Sequence, residues 1–467
     1  MSLFTKDNFS YSKILTVLGT GICFLVSGFL FDSPKGYFVG FFVTLVGIIY
    51  LFCRAFIDLG FVGRIIAFSG LMAVICGGGL FVYSELDKSK NTKLDEAGLA
   101  WQLTPFGKKG TVHATSYARS GGVFIVGNYE KKNDGWQAAY GKVSSEGKLL
   151  WKNKKNLAYD ASLETVHSLQ DGGAILAGRE GLVIRINDKG DILWSENYGM
   201  PEDTVIQRIK DVVELEDGRI VIVGSVYQRL FSPNGDRGYA ALLASNGNLI
   251  WEKMLGSDGD MELNSLALLD NQGFVTVGYT KESGQSKAII IKLDFEGNAL
   301  DSLELGDDFS GFANDVFITE KGKILVGGSI DSFGNGVTDM ALYSVSEDIK
   351  TASLTRYVGR YTGRHSINVI DQQADGKIIL AGSTRQVQSG RPHSATIFDV
   401  DLDNRPLNGW HDPFVNGSYI SAMTLLPSGA QVIIEARYNA YPGVILAFRQ
   451  PRSGDIETKI NILEQND

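Results

Sequence analysis

Cysteine is almost absent from this chain of 467 residues. The three cysteines, Cys23, Cys53 and Cys76, all precede residue 84. The remainder of the chain has no thiol, so it can form neither disulfides nor cysteine-ligated metal sites.

Histidine is also scarce, and the motifs of common enzymes are missing. The chain has five histidines: His113, His167, His365, His393 and His411. No two of them stand at the spacing of metal ligands. The sequence has no nucleophile elbow and no phosphate-binding glycine loop. We therefore expect no metal and no cofactor, and the sequence leans against an enzyme without deciding the question.

The chain lacks a basic surplus. It has 44 basic and 53 acidic residues, of which five and three precede residue 84, so the remainder holds 39 and 50 and carries a net charge of −11. Nucleic acid prefers basic surfaces, so it is not an expected partner. Proteins, cations and neutral glycans fit this charge better.

A repeat with a period of about 51 residues runs through most of the chain. A short apolar run ends at an anchor glycine in six copies, and the seventh copy has Glu435 there. The anchor glycines are Gly127, Gly178, Gly224, Gly278, Gly328 and Gly382. Turn glycines precede most anchors by six residues, as at Gly218, and a second turn glycine follows in most copies, as at Gly247. These turns predict four short strands in each copy.

Four strands at this period are typical of a propeller blade. The apolar runs, such as Ile220–Val223, are nearly continuous, as expected for strands covered on both faces. The sequence thus predicts an all-β fold, a seven-bladed β-propeller of four-stranded blades over residues 99–467. We interpret the anchor glycine as a bulge or a close approach of two backbones.

The opening of the chain has a different composition. Three uncharged apolar runs, 14–31, 37–53 and 65–83, are each about long enough to cross a ~30 Å hydrocarbon core. They predict an N-terminal three-helix transmembrane region over 1–83, followed by a polar linker over 84–98. Arg54 and Arg64 bracket the second loop, so the positive-inside rule predicts a cytoplasmic N-terminus and an extracytoplasmic propeller in a multi-pass protein of the cytoplasmic membrane.

Two of the predicted helices carry small residues four positions apart. They are Gly19, Cys23 and Ser27 in the first helix, and Ser69, Ala73 and Gly77 in the third. Such faces allow close helix packing in lipid. The three helices could pack on one another, or the faces could bind a partner membrane protein or a second copy of this chain.

Two segments compete to complete the last blade. Leu99-Ala100-Trp101 is similar to the closing strands of later copies, such as Leu249-Ile250-Trp251. The segment 456–462 at the other end of the chain is an alternative, and the sequence leaves the choice open.

Trp251–Asn298 resembles the repeat of bacterial envelope and cell-surface β-propeller proteins. Its order is Trp, Gly, a glycine-bearing turn, an apolar run to Gly, and Lys-Leu-Asp-x-x-Gly. The element Gly147–Trp151, GKLLW, is also similar to repeats of quinoprotein dehydrogenases and of their non-enzymatic relatives in envelope assembly. The enzymes of that group need metal-binding carboxylates and usually a vicinal disulfide. The disulfide cannot form here, because the repeat-bearing part of this chain has no cysteine.

One polar position recurs eight residues before the first turn of each copy, counted from the turn glycine or, in the fourth copy, from Gln272. The residues there are His113, Glu164, Lys210, Asn264, Asn314, Asn368 and Ser421. If their strand is the innermost one, they would form a ring at one mouth of the central channel and could bind a small ligand or a peptide tip. The alternative is that the start of a strand is polar simply because it lies near solvent.

Two functions remain in view. The first is a non-catalytic scaffold subunit of an envelope complex, which binds proteins through the long polar loops 228–238, 329–338 and 384–394. The second is a quinoprotein-like or glycan-processing enzyme, or a ligand sensor, that uses the channel. Paired carboxylates converging at the channel would favour the second, and an exposed apolar patch on the rim would favour the first.

Overall fold

The structure is a computed structural model, and the chain divides into two units, Met1–Ala97 and Gly98–Asp467. All described residues lie in the second unit. They are 99–107, 110–131, 135–154, 162–199, 204–228, 236–256, 260–270, 272–282, 284–306, 309–331, 337–358, 363–386, 394–401, 403–404, 406–411, 418–427, 431–437, 444–448 and 461–464. The predicted transmembrane region, its small-residue faces and the linker lie outside these ranges. Within them, no helix has the length and hydrophobicity that a membrane crossing requires.

The described part of the chain folds into seven antiparallel sheets. The first sheet holds β2 (Gly110–Tyr117), β3 (Val123–Lys131), β4 (Gly135–Val143) and β5 (Leu149–Lys154). The second holds β6 (Leu163–Ser168), β7 (Ala174–Gly178), β8 (Leu182–Ile186) and β9 (Ile192–Asn197). The third holds β10 (Thr204–Glu214), β11 (Ile220–Gln228), β12 (Arg237–Leu243) and β13 (Leu249–Leu255). The fourth holds β14 (Asp260–Leu269), β15 (Gly273–Glu282), β16 (Gln285–Leu293) and β17 (Ala299–Leu305).

The remaining three sheets follow the same order. The fifth holds β18 (Ser310–Ile318), β19 (Ile324–Asp331), β20 (Asp339–Val345) and β21 (Ala352–Val358). The sixth holds β22 (Gly363–Gln372), β23 (Ile378–Gln386), β24 (Ser394–Val400) and β25 (Pro406–His411). The seventh holds β26 (Ser418–Leu425), β27 (Gln431–Arg437) and β28 (Val444–Phe448), joined by β1 (Leu99–Leu103).

The predicted turns connect these strands. Between β10 and β11, Gly218 N donates to Leu215 O at 2.9 Å, and Leu215 N donates to Arg219 O at 2.8 Å. Gly218 has a φ of 82°, a left-handed conformation that glycine adopts without steric cost. This is a type I turn followed by a left-handed glycine, a common hairpin connection.

The first strand of each sheet, here called the inner strand, contacts the inner strands of two neighbours. The order of contact is β2, β6, β10, β14, β18, β22, β26 and back to β2. A hydrophobic cluster lies between each neighbouring pair of sheets, including the seventh and the first. In β11, Ile220 and Ile222 belong to the cluster shared with the second sheet, while Val221 and Val223 belong to the cluster shared with the fourth. The continuous apolar run therefore serves two interfaces, as predicted.

The competition for the seventh sheet is resolved in favour of β1. Leu103 pairs with Ile445 and Gln102 with Leu446, antiparallel to β28. The other candidate segment supplies β29 (Asn461–Glu464), which pairs with the outer edge of β21 in the fifth sheet. The seventh sheet therefore combines the first described strand with three late ones.

Tryptophans join the sheets at their outer strands. Trp194 Nε1 donates to Ser245 O of the next sheet at 3.0 Å. The indole ring covers Gly247, where an added Cβ would meet it at 3.0 Å. Trp151 and Trp251 make the equivalent contacts with Gly190 and Gly297. In the first three sheets, the tryptophan of the closing strand thus packs on the second turn of the neighbouring sheet.

Candidate functional site

The seven predicted ring positions all lie on a β-bulge of an inner strand. The antiparallel register of every inner strand skips a residue at this position, and β10 also skips Gln207. The skipped residues at the shared position are His113, Glu164, Lys210, Asn264, Asn314, Asn368 and Ser421. All seven are half-buried. We call them the polar ring. Their common place is therefore set by backbone geometry and is not merely the solvent-near start of a strand. Whether they bind a ligand stays a prediction.

The anchor glycine explains the bulge. At Gly224, an added Cβ would lie 2.0 Å from Arg208 O of the inner strand, closer than real Cβ contacts come. The other five anchor glycines meet an inner-strand carbonyl oxygen at 1.8–2.1 Å in the same way. The strands approach so closely beside the bulge that a side chain has no room there. The predicted close approach of the two backbones is thus present in all six glycine copies.

Amide members of the polar ring bind the backbone of the next sheet. Asn264 Nδ2 donates to Ala313 O at 2.9 Å, and Asn368 Nδ2 donates to Ile420 O at 2.8 Å. Asn314 Nδ2 donates to Ile367 O at 2.8 Å. Each acceptor is the residue just before the ring member of the next sheet. Inner strands are not paired with each other in a ladder, so these side chains satisfy carbonyls that would otherwise lack a donor.

The other members of the ring vary this scheme. His113 Nδ1 lies 2.8 Å from Leu163 O, which can only accept, so Nδ1 carries the hydrogen. Lys210 Nζ forms an ion pair with Glu262 Oε1 of the next sheet at 3.0 Å. Ser421 Oγ is enclosed and meets no hydrogen-bond partner among the described residues. The serine is too short for the bridge that asparagine makes.

Glu164 is the only acidic member of the ring. Arg179 Nε lies 3.5 Å from its carboxylate. Burial acts to raise the pKa of Glu164, but the positive charges of His113, Lys210, Arg208 and Arg179 outweigh burial and lower it. Glu164 therefore stays ionised, and it balances a locally basic segment of the ring.

A second set of polar residues follows the ring, and sequence reasoning missed it. Asp211, Ser265 and Asp315 each stand one residue after a ring member, on β10, β14 and β18. Asp211 Oδ2 accepts from Leu266 N at 2.9 Å, and Asp315 Oδ2 accepts from Ile370 N at 2.7 Å. We call these three residues the acceptor row. The ring satisfies carbonyls of the next sheet, and this row satisfies its N–H groups.

The two carboxyl groups of the row converge on one hydroxyl. Ser265 Oγ lies 3.1 Å from Asp211 Oδ2 and 2.8 Å from Asp315 Oδ1. Asp211 Oδ1 also accepts from Val212 N at 2.8 Å. Burial among the packed inner strands raises the pKa of Asp211 to about 6 and that of Asp315 to about 7. All four carboxyl oxygens already have a hydrogen-bond partner, so the pair joins strands and leaves no oxygen free for a substrate.

An aromatic pair, Phe312 and Tyr279, and the carboxylate of Glu262 interact close to two ring members along the chain. Phe312 stands two residues before Asn314, and 37% of its surface is exposed. Its ring packs edge-on against Tyr279 at 4.9 Å between centroids. Tyr279 Oη donates to Glu262 Oε2 at 3.0 Å. Tyr279 lies outside the patterns that the sequence singled out, because the apolar run ends at the anchor Gly278 whereas the strand continues to Glu282.

Other expected sites are only partly visible. The three loops expected to contact partners lie mostly outside the described residues, with 229–235, 332–336 and 387–393 undescribed. Within the described ranges, no three His, Cys, Asp or Glu side chains converge as a metal ion would need.

The chain was compared with protein families and with known proteins. Residues 373–396 match a family described as a domain of unknown function (DUF5122) beta-propeller. Among solved structures, the chain is similar to a protein of unknown function from Bacteroides caccae, with a TM-score of 0.39 and 10% identity over 64% of this chain and 97% of that chain. It is also similar to the Pan2 WD40 domain of Neurospora crassa, with a TM-score of 0.48 and 14% identity over 73% of this chain and 90% of that chain. No curated protein matches. The repeated four-stranded sheets and the family match together support a β-propeller repeat protein.

Proposed function

We propose that this chain is a non-catalytic propeller of seven blades, anchored in the cytoplasmic membrane by residues 1–83, that serves as a protein-interaction subunit of a bacterial envelope complex. The fold alone does not define a function, since propellers serve many. The observation that carries the proposal is a set of exposed apolar side chains on the outer strands.

These side chains recur at one position of four consecutive sheets. Leu150, Leu193, Ile250 and Leu300 each stand three residues after a turn glycine, and they are 49%, 55%, 50% and 54% exposed. We call them the apolar row. Single exposed leucines are ordinary, but a set repeated on the outer strands of consecutive sheets is typical of a surface that a partner covers. A protein partner is the occupant that fits best, because exposed outer strands also offer backbone hydrogen bonds.

The acceptor row argues against catalysis in the channel. A general acid or base must reach a substrate atom. The carboxyl oxygens of Asp211 and Asp315 are instead taken by backbone N–H groups and by Ser265. The convergence of these two carboxyl groups therefore does not support the enzyme alternative.

Ligand binding by the polar ring remains part of the proposal. Its members already bind neighbouring strands, so a ligand would have to compete with those hydrogen bonds. A peptide tip that meets exposed Phe312 first, and then the ring, would need the fewest bonds broken.

The interaction surface can be tested by site-specific photo-crosslinking in cells. We expect a photoreactive amino acid at position 193 or 250 of the full-length chain to form a defined adduct with a protein. Position 196 is the matched control, since Glu196 is exposed on the same strand as Leu193. Leu193→Asp should abolish the adduct formed from position 250, whereas Glu196→Lys should leave it. Equal adducts from all three positions, or none, would contradict a partner on the apolar row.

Sidedness can be tested separately, because the propeller has no cysteine. In the Glu196→Cys variant, a membrane-impermeant maleimide should label intact spheroplasts. The unmodified chain is the control, and its three cysteines lie in the predicted membrane spans. Labelling that appears only after lysis would place the propeller in the cytoplasm.

A further inference from the structure

Ser265 has too few hydrogens for the contacts that surround it. Its oxygen lies within hydrogen-bond distance of Asp211 Oδ2 and Asp315 Oδ1, and Val316 N donates to it at 3.4 Å. A hydroxyl has one hydrogen and can donate to only one carboxylate. The other carboxyl group can make a favourable contact with the Ser265 oxygen only by donating a hydrogen of its own.

Among the residues that the structure describes, no positive charge acts on either carboxyl group of this cluster. The charges that act on Asp315 are those of Asp211 on β10 and Asp371 on β22, and both are negative. The remaining contacts of the two carboxyl groups are neutral N–H groups of Val212, Leu266 and Ile370. Two ionised carboxylates would thus face a single hydroxyl hydrogen at a half-buried place between the inner strands.

We propose that Asp211, Ser265 and Asp315 share one additional proton and form a pH-sensitive clasp between the inner strands of the third, fourth and fifth sheets. With the proton present, one carboxyl donates to Ser265 Oγ, Ser265 donates to the other carboxylate, and Val316 N–H occupies the remaining lone pair. When the proton leaves to solvent, one of these hydrogen bonds is lost and two negative charges repel each other across the serine.

The clasp lies beside the polar ring. Its three members directly follow Lys210, Asn264 and Asn314 along the chain. Opening of the clasp would therefore loosen the segment that holds these three ring side chains in place. The mouth of the channel would be tighter in mildly acidic conditions than in alkaline ones.

The sign of the pH effect on stability follows from the raised pKa values. The carboxyl groups bind protons up to about pH 6 and about pH 7 in the folded chain, whereas an unfolded aspartate releases its proton near pH 3.9. The stabilising contribution is complete below about pH 4 and is lost as the pH rises to about 7. For each of the two raised carboxyl groups, the unfolding equilibrium constant should rise about tenfold per pH unit between its unfolded and folded pKa, and the single shared proton of the clasp is the last to leave, near pH 7.

Infrared spectroscopy of the full-length chain in detergent can detect the shared proton as the C=O band of a protonated carboxyl group at pH 6. Asp371 is also buried with its pKa raised to about 6, so the Asp371→Asn variant is the reference. We expect this reference to retain the band, and the added Asp315→Asn substitution to remove it, because an amide supplies the missing hydrogen and lets Asp211 ionise. If Asp371→Asn alone removes the band, the proton belongs to Asp371 and the clasp is refuted.

A second measurement does not require that the Asp315→Asn variant fold. In the original chain, hydrogen exchange at the amides of Leu266 and Ile370, which donate to the two carboxyl groups, should accelerate between pH 5 and pH 8 beyond the ordinary rise with pH. Ser168 N, which donates to Ser116 Oγ in an equivalent inter-sheet contact at 3.1 Å, provides the reference amide. Equal acceleration at all three amides would also overturn the proposal.

Discussion

The inner and outer strands solve the same problem, the joining of two neighbouring sheets, by different means. Inner strands lie so close together that short side chains such as Asn264 reach the next backbone, and glycine is needed where Gly224 meets Arg208. Outer strands are bridged by large aromatic side chains, as Trp194 bridges to Ser245. The bridging side chain thus fits the space between the strands: short amides such as Asn264 join inner strands, and the indoles of Trp151, Trp194 and Trp251 join outer ones.

The largest effect should come from filling the closest inner contact. Gly224→Ala places a Cβ at 2.0 Å from Arg208 O, so the strands must separate. We expect a loss of about 3 kcal/mol or more in the free energy of unfolding, measured by urea denaturation. Ile222→Val, in the same strand, is the control and should cost about 1 kcal/mol. Equal losses for Gly224→Ala and Ile222→Val would mean that the bulged inner strand can move away from the added methyl group.

At the outer strands the corresponding change should be milder. Gly247 has a φ of 89° and lies under the Trp194 ring, whereas Gly172 has a φ of 88° with no atom within 4 Å of an added Cβ. Gly172→Ala should therefore cost only the strain of a left-handed backbone, about 1–2 kcal/mol. Gly247→Ala should cost about 1 kcal/mol more, because the indole must shift. Identical midpoints of thermal unfolding for the two variants would show that the Trp194 ring moves aside without a measurable loss of stability.

The smallest effect should come from the amide of a single ring member. Asn314→Ala removes the side-chain donor of both Ser366 Oγ and Ile367 O and should cost about 1–2 kcal/mol. Asn314→Asp keeps the shape but cannot donate when ionised, so it should be at least as damaging at neutral pH. A well-tolerated aspartate would show that Asn314 acts through packing and not through its amide hydrogens.

Much of the inner architecture could be predicted from the sequence. The anchor glycines marked the close approach of strands, and counting back from the turns identified the polar position that proves to lie on a bulge in each inner strand, from His113 to Ser421. This worked because both features depend on the local backbone, which repeats in every copy. The closing role of β1 was visible as similarity to other closing strands, but strand composition alone could not exclude the competing C-terminal segment.

The acceptor row could not be found in this way. Asp211, Ser265 and Asp315 differ in residue type, and the other four copies have Ala114, Thr165, Val369 and Ala422 at that position. Their interaction depends on three consecutive sheets meeting, which is tertiary information. The sole local sign is an aspartate in an otherwise apolar strand, as in Asp211-Val212-Val213, where an unpaired charge would be costly.

The pairing of β1 with β28 has a consequence for synthesis on the ribosome. Leu99–Leu103 emerges first but finds its partner, Val444–Phe448, only roughly 340 residues later. At about 5–20 residues per second, translation leaves this strand waiting for roughly 17–70 s. During that interval β1 has no strand to pair with. Folding of the nascent chain therefore depends on protection of Leu99–Leu103 until β28 has been synthesised.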